Sequence, residues 1–398
     1  MRILVFNCGS SSLKFELIEL EAGGRGGSAV VRGIIDQIGP QAHTRVTRPD
    51  GPAIDRAEPV ADHAEAALRI LDLFDTANPE LDAVAHRIVH GGERVTEPAF
   101  ATAAVLEALE EASRFAPLHN PPALKTLRAV QQRLPKVPAI VAADTGFHRH
   151  LPLHARTYAI PRELAARHGI RRFGFHGTGH AWMLERYAAL SGRPAAAVNL
   201  ITLQLGAGCS VAAIRQGVSV DTSMGLTPLE GLMMATRSGD LDPAIVSYLA
   251  RAENLTADQV EHLLNHDSGL IGVSGRSKDM RELEQAALID EAAALAIEMF
   301  CYRVRKYIGA YIAVLGRVDA LIFGGGIGEH SSSLRARICA GLEVLGIVTD
   351  EARNDAANSD ERSFSAGHSP IGLWVIPLNE ELYIARAAAR LIAPAAAA

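Results

Sequence analysis

Arg87 and Arg237 each stand in a turn-rich setting where a guanidinium can meet an anion. The first lies in His86-Arg87-Ile88-Val89-His90-Gly91-Gly92, after the apolar residues 81–85. The second lies in Met234-Ala235-Thr236-Arg237-Ser238-Gly239-Asp240-Leu241-Asp242-Pro243. At a strand end, such a side chain grips a carboxylate or a transferring phosphoryl group through directional hydrogen bonds. Two that converge would stabilise charge on equatorial phosphoryl oxygens. Either one alone is as readily a structural or surface residue. Asn7, Ser10, Ser12 and Lys14 lie in a polar turn and the strand leaving it. Hydroxyls, an ammonium and successive backbone N–H groups can there surround phosphate oxygens. The serines would act as positioning donors and need no neighbouring base; a plain hairpin turn is the alternative.

Asp144-Thr145-Gly146-Phe147-His148 follows the strand-like residues 139–143. Phe173-Gly174-Phe175-His176-Gly177-Thr178-Gly179-His180 then sets two imidazoles four residues apart. That spacing suits one helix face, but Gly177 and Gly179 oppose a rigid helix. No Glu stands between the histidines as zinc hydrolysis of the metalloprotease kind needs. A donor role for His176 near phosphate is more economical. The stretch 319–323 reads as a strand running into Gly324-Gly325-Gly326-Ile327-Gly328-Glu329-His330. Strand, flexible glycines and helix give a shape for close nucleotide approach, though neither the dinucleotide fingerprint nor the lysine-containing phosphate loop is present.

These groups need elements to hold them. Ile3-Leu4-Val5-Phe6, a polar turn, and Leu13-Lys14-Phe15-Glu16-Leu17-Ile18 read as strand, turn and strand. Ile201-Thr202-Leu203-Gln204-Leu205, Gly206-Ala207-Gly208-Cys209-Ser210 and Val211-Ala212-Ala213-Ile214 repeat the form. The recurrence suggests two related lobes. Helices are predicted over 61–73 and 101–113, and across most of 283–315. In the last, Leu288, Ala292, Leu295, Met299 and Tyr302 keep helical spacing and read as a core stripe, with Gly309 a point of bending or division. The regions 23–27 and 40–59 read as loop, and the alanine-rich end, 393–398, as a fraying tail.

The 398-residue chain is long enough for two cores. It is 48% hydrophobic and 21% charged, as globular proteins are. No apolar run reaches the ~18 residues a membrane helix needs. The amino-terminal apolar run is interrupted too soon for a signal-peptide core. Cys8, Cys209, Cys301 and Cys339 are scattered without metal-ligand spacing and fit free thiols in a reducing compartment. A cytoplasmic location follows. The net charge of -6 argues against nucleic acid as main partner, while His86, Arg87 and His90, and Arg171, Arg172 and His176, read as local basic clusters.

Taken together, these segments resemble the acetate kinase family, within the acetate and sugar kinase, hsp70 and actin superfamily. The resemblance is carried by residues 7–15, by Arg171-Arg172-Phe173-Gly174-Phe175-His176-Gly177-Thr178, and by Val220-Asp221-Thr222-Ser223-Met224-Gly225-Leu226-Thr227-Pro228-Leu229-Glu230-Gly231. It implies an α/β architecture of duplicated ribonuclease-H-like (actin-like ATPase) domains facing a central cleft. The lobes would be 1–148 with 378–398, and a nucleotide-binding lobe 149–377. It implies a homodimer with no nucleic acid or membrane partner, and reversible transfer between ATP and acetate with Mg²⁺, Mn²⁺ being an alternative. By this resemblance Arg87, Asp144, His176 and Arg237 are catalytic, and Asn7 and Glu380 lie at the metal. Val89, Leu118, His119, Phe175 and Pro228 form the acyl recess. Ser10, Ser12, Lys14, Gln204, Gly206, Ala207, Gly208, Asp279, Met280, Arg281, Gly326, Ile327 and Gly328 serve nucleotide and phosphates.

Two positions depart from the family pattern: Gln204 replaces a usual histidine and Ala207 a usual asparagine. Gln204 keeps a neutral donor but no imidazolium; Ala207 loses a polar contact. Gly324 and Gly325 replace the commoner Thr-Ala, and His330 replaces asparagine. The competing readings are a propionate or broader short-chain acyl kinase, a pyrophosphate-dependent acetate kinase, and a catalytically weakened nucleotide-binding regulator.

Overall fold

A computed structural model describes residues 1–21, 26–48, 51–75, 80–356 and 360–393. Parts of the loops expected over 23–27 and 40–59, and the tail from 394 on, lie outside the described residues. The chain divides into two compact units, Met1–Arg149 with Asn379–Ala398, and His150–Leu378.

In the first unit, eight strands form one sheet: β1 (Arg2–Cys8), β2 (Leu13–Leu20), β3 (Gly27–Asp36), β4 (His43–Thr47), β5 (Ile54–Ala57), β6 (Ala83–Ile88), β7 (Ala99–Phe100) and β8 (Ala139–Ala143). Their order is β5-β4-β3-β2-β1-β6-β8-β7. The apolar β1 is buried on both faces and sits centrally, as such runs do. Leu4, Phe6, Leu13 and Phe15 share one core with the helices His63–Asp75, Ala103–Ala112 and Asn120–Arg133. The alternation of strand side chains sends Asn7 and Arg87 the other way, toward the helix Glu380–Ile392.

The second unit has six strands: β9 (Leu200–Leu205), β10 (Cys209–Arg215), β11 (Val218–Thr222), β12 (Ala320–Gly324), β13 (Arg362–Ser363) and β14 (Gly372–Val375). The order is β11-β10-β9-β12-β14-β13. Three antiparallel strands, two parallel ones and a short antiparallel edge strand follow one another here. β3-β2-β1-β6-β8-β7 repeats that pattern in the first unit. The recurring strand-turn-strand segments are thus matching first hairpins of a duplicated α/β domain.

Four expectations are corrected. The region 40–59 holds β4 and β5, not only loop. Thr44 and Val46 are buried while Arg45 faces out, a period-two alternation that the flanking prolines obscured in the sequence. Residues 283–315 form two helices, Met280–Ala286 and Glu291–Leu315, separated where Asp290 caps the second through Ala292 and Ala293. Gly309 does not divide the longer one. Leu288, Leu295 and Tyr302 are 85%, 52% and 55% exposed, so the proposed core stripe is largely a surface. The buried face runs through Ala293, Ile297, Phe300, Val304, Ile308 and Tyr311. Nor do the basic clusters act as units. His86 points into the core and stacks on Phe6, away from Arg87. Arg172 is spent on Glu230 and on the carbonyls of Thr222, Ser223 and Met224.

Candidate active site

In the first unit, the parallel strands β6 and β8 deliver Arg87 and Asp144 side by side. Asp144 is fully buried at the end of β8, and Arg87 Nε and Nη2 donate to its two carboxylate oxygens at 2.9 and 2.6 Å. Nη1 donates to Asn7 Oδ1 at 3.0 Å, and Asn7 Nδ2 donates to Glu381 at 3.0 Å. Glu380 lies 3.9 Å from Arg87 Nη2. Burial works against the guanidinium's charge, but Asp144 and Glu380 outweigh it and raise its pKa. Arg87 is therefore a fixed charge. Removing it by Arg87→Ala strands the Asp144 carboxylate in the interior at an expected cost of about 3 kcal/mol, as for other broken buried pairs. Urea unfolding would measure that loss, and adding Asp144→Ala should recover most of it.

The turn after β1 is closed by the Gly9 N–H donating to the Ser12 carbonyl at 2.8 Å. Ser10 and Lys14 are exposed and Ser12 is half-buried. Val89 and His119 are half-buried and Leu118 is 52% exposed.

In the second unit, His176 is the residue before the helix Gly177–Ser191 and has φ of 57°. A non-glycine residue held there is strained, as residues at working sites often are. The helix does form across Gly177 and Gly179, against the sequence expectation. A Cβ added at Gly208 would lie 3.3 Å from His176 Nε2 and 3.7 Å from Arg237 Nη1, so imidazole and guanidinium flank that glycine. Arg237 Nη1 donates to the Pro228 carbonyl at 3.0 Å, and no carboxylate pairs with Arg237 among the described residues. Burial consequently lowers its pKa. The guanidinium is thus partly desolvated without an internal carboxylate among the described residues. Phe175 is fully buried nearby in sequence, and Pro228 half-buried.

The glycine turn after β12 enters the short helix Gly325–His330, and Gly206 of the β9–β10 turn approaches Gly326 N to within 3.9 Å of an added Cβ. The two glycine turns of this unit, 206–208 and 325–328, are thus neighbours. Glu329 holds the start of that helix by accepting from the Gly325 N–H at 2.7 Å. Asp279 caps Met280–Ala286 and pairs with Arg281, whose hydrogen bond lowers the Asp279 pKa to about 2. Met280 is buried. Burial pushes the Cys209 thiol up to about 12, which disfavours the thiolate form.

The acetokinase family model matches residues 2–386. This chain belongs to the acetokinase family. It is 46% identical over 390 residues to an acetate kinase of Clavibacter michiganensis subsp. michiganensis, covering 96% of this chain and 97% of that one. Crystal structures of an acetate kinase from Porphyromonas gingivalis and a propionate kinase from Francisella tularensis subsp. tularensis both superpose with a TM-score of 0.90. They are 39% and 36% identical and cover 96% and 97% of this chain, and 98% of each of their own. The ribonuclease-H-like α/β architecture of the acetokinases is the one each unit repeats.

Within this acetokinase chain, one departure, Gln204, has a defined local setting. Gln204 is buried in β9, with Oε1 lacking any hydrogen-bond partner among the described residues. A Cβ at Gly179 would crowd that oxygen at 2.0 Å, so the bare glycine makes room for the carboxamide. Gly179→Ala should leave folding intact, since its φ is unexceptional. It should displace Gln204 and raise the KM for the phosphoryl donor about threefold or more, the size of one perturbed hydrogen bond. Steady-state kinetics would check this, and Gln204→Ala added to it should cost less than the sum of the two singles. Sequence reasoning missed Gly179 and Glu381, and it gave Ser210 and His180 no role. Only the spacing of His180 from His176 carried a signal.

Proposed function

We propose that this chain catalyses magnesium-dependent, reversible transfer of the terminal phosphoryl group of ATP to acetate, giving acetyl phosphate and ADP. The observation that carries this reading is Arg237, a half-buried guanidinium without a carboxylate partner among the described residues, flanking Gly208 together with His176. Such a site favours an anion whose charge spreads over several oxygens.

An acetate oxygen attacks the terminal phosphorus. The bond to the oxygen bridging from ADP breaks, and ADP leaves with that electron pair. Acetate is already ionised near neutral pH, so no base is needed. Arg87, held by Asp144, orients the carboxylate and the phosphoryl group. Arg237 and His176 take up charge on the equatorial oxygens. Ser10, Ser12 and Lys14 steady the phosphates; Gln204, Gly206, Ala207, Gly208, Asp279, Met280, Arg281 and Gly326 to Gly328 receive the nucleotide side. Val89, Leu118, His119, Phe175 and Pro228 shape the acyl recess.

Asn7, Glu380 and their neighbours offer only oxygen donors, which fit a hard divalent cation. Among the described residues no three His, Cys, Asp or Glu side chains stand close enough to hold one unaided. Asn7 and Glu380 would therefore share Mg²⁺ with phosphate and water, as that ion prefers. When bound, the ion neutralises phosphate charge.

Propionate is the second acceptor to test, because a propionate kinase structure superposes as well as an acetate kinase structure does. One methylene alters discrimination by only about 1–3 kcal/mol. The exposed apolar side chains Leu288, Ile289, Leu295 and Tyr302 support a homodimer. Hydroxamate trapping of the acyl phosphate, with ATP, GTP and pyrophosphate each offered against acetate, propionate and butyrate, tests the reading. ATP with acetate should give the highest kcat/KM. No turnover with any pair would sink the enzyme assignment, and a large preference for pyrophosphate would sink the donor.

A further inference from the structure

Three buried side chains form one hydrogen-bonded chain behind His176. Thr202 Oγ1 lies 2.8 Å from His180 Nδ1, His180 Nε2 lies 2.8 Å from Ser210 Oγ, and Ser210 Oγ lies 2.9 Å from His176 Nδ1. Thr202, His180 and Ser210 are completely buried. β9 supplies the threonine and β10 the serine, while the helix Gly177–Ser191 brings His180 one turn after His176.

Each hydroxyl has one proton to give, and each neutral imidazole has one N–H and one bare nitrogen. The chain can therefore run in only two senses. In one, His176 Nδ1–H donates to Ser210, Ser210 to His180 Nε2, and His180 Nδ1–H to Thr202. The Thr202 proton then needs an acceptor, and the Thr202 hydroxyl makes no hydrogen bond besides the one to His180 among the described residues. A buried donor would be left unmade, which is costly. In the other sense, Thr202 donates to His180 Nδ1, His180 Nε2–H donates to Ser210, and Ser210 donates to His176 Nδ1. Every buried proton is then spent.

We infer that Thr202, His180 and Ser210 are positioning residues that keep His176 Nδ1 bare and its proton on Nε2, the ring atom facing Gly208. The assignment rests on the proposed role of His176 at the phosphoryl group. It makes His176 a neutral donor aimed by its neighbours. A second proton at Nδ1 would either leave the Ser210 hydroxyl proton without an acceptor or reverse the chain to the sense that strands Thr202. The hydrogen bond at one ring nitrogen thus sets the tautomer at the other, as it does for other functional histidines.

The test is nitrogen NMR of enzyme carrying ¹⁵N-labelled histidine, with the His176 signal identified by its loss in His176→Gln. The parent should show the proton on Nε2. Thr202→Val, nearly isosteric, removes the proton that gives the chain its sense. His176 should then show both tautomers, and kcat should fall about threefold to tenfold with each KM nearly unchanged, as when only a transition-state contact is impaired. Thr202→Ser should restore the parental spectrum and kcat. A proton on Nδ1 in the parent overturns the assignment without any variant. So does a Thr202→Val enzyme whose tautomer or kcat is unaltered. Failure of the functional reading looks different: His176→Gln would then keep parental turnover while the parent's proton is still found on Nε2.

Discussion

Arg237→Met should lower kcat by about a hundredfold or more, the loss seen when a single preorganised transition-state donor is removed, while thermal stability holds or rises. The two halves of this result have one cause. The guanidinium is half-buried, partial desolvation lowers its pKa, and its hydrogen bonds within the fold go to the Pro228 carbonyl and the Met234 sulfur. The folded protein bears the cost of hiding this cation with little internal return. Substrate supplies the missing charge, so removing the cation harms the reaction and relieves the fold. Methionine keeps much of the side-chain volume. Steady-state kinetics and a melting curve check both halves, and binding of phosphate or ADP should raise the melting temperature of the parent more than that of the variant. Near-parental turnover would end the proposed role of Arg237. A large drop in stability would mean that this arginine is structural. Arg87 predicts the opposite profile, because Asp144 already satisfies it and its removal exposes a buried carboxylate.

That contrast between the two arginines was not legible in the sequence, where both stood in turns near glycines. Local pattern carries strand and turn identity, and it located the paired hairpins around residues 9–12 and 206–208. It also singled out both arginines and His176 as candidates. It does not carry partners. Asp144 reaches Arg87 because β6 and β8 pair in parallel, 57 residues apart in the chain. Ser210 reaches His176 because a strand and a helix start are brought together across 34 residues. The outer strand β4 and the edge strand β5 were hidden by prolines and polar residues, which sheet edges tolerate. The stripe along 288–302 failed for another reason. Several faces of the helix Glu291–Leu315 carry apolar residues, and spacing alone could not say which one the sheet would bury. The small residues Ala293 and Ala296 mark the buried face.

His86→Phe should remove a large part of the protein's sensitivity to mild acid. His86 lies in β6 opposite Phe6, its ring stacked on the phenyl at 5.4 Å between centroids, and neither ring nitrogen has a hydrogen-bond partner among the described residues. Burial pushes its pKa from 6.5 down to about 3. Above pH 6.5 the ring is neutral whether the chain is folded or not, and it contributes no pH dependence. As the pH falls below that value, the unfolded chain takes up a proton that the folded chain refuses. Stability is therefore lost progressively down to about pH 3. At about 1.4 kcal/mol for each pH unit separating the folded and unfolded titrations, the full loss is on the order of 5 kcal/mol. Glu16 works against it. Burial raises that carboxyl from 4.5 to about 7, so the folded chain binds its proton first and gains stability over part of the same range. The parent's net slope is thus a difference of two opposed titrations, and the comparison of variants isolates each. Urea unfolding between pH 7 and pH 5 avoids most carboxylate titration. There the His86→Phe protein should lose less stability than the parent, and Glu16→Gln should lose more. Phenylalanine fills the site and continues the stack on Phe6, so the fold should survive the change. Parallel stability curves for parent and His86→Phe would show that the imidazole is reached by water or finds a partner on protonation, against the sealed core described for this sheet.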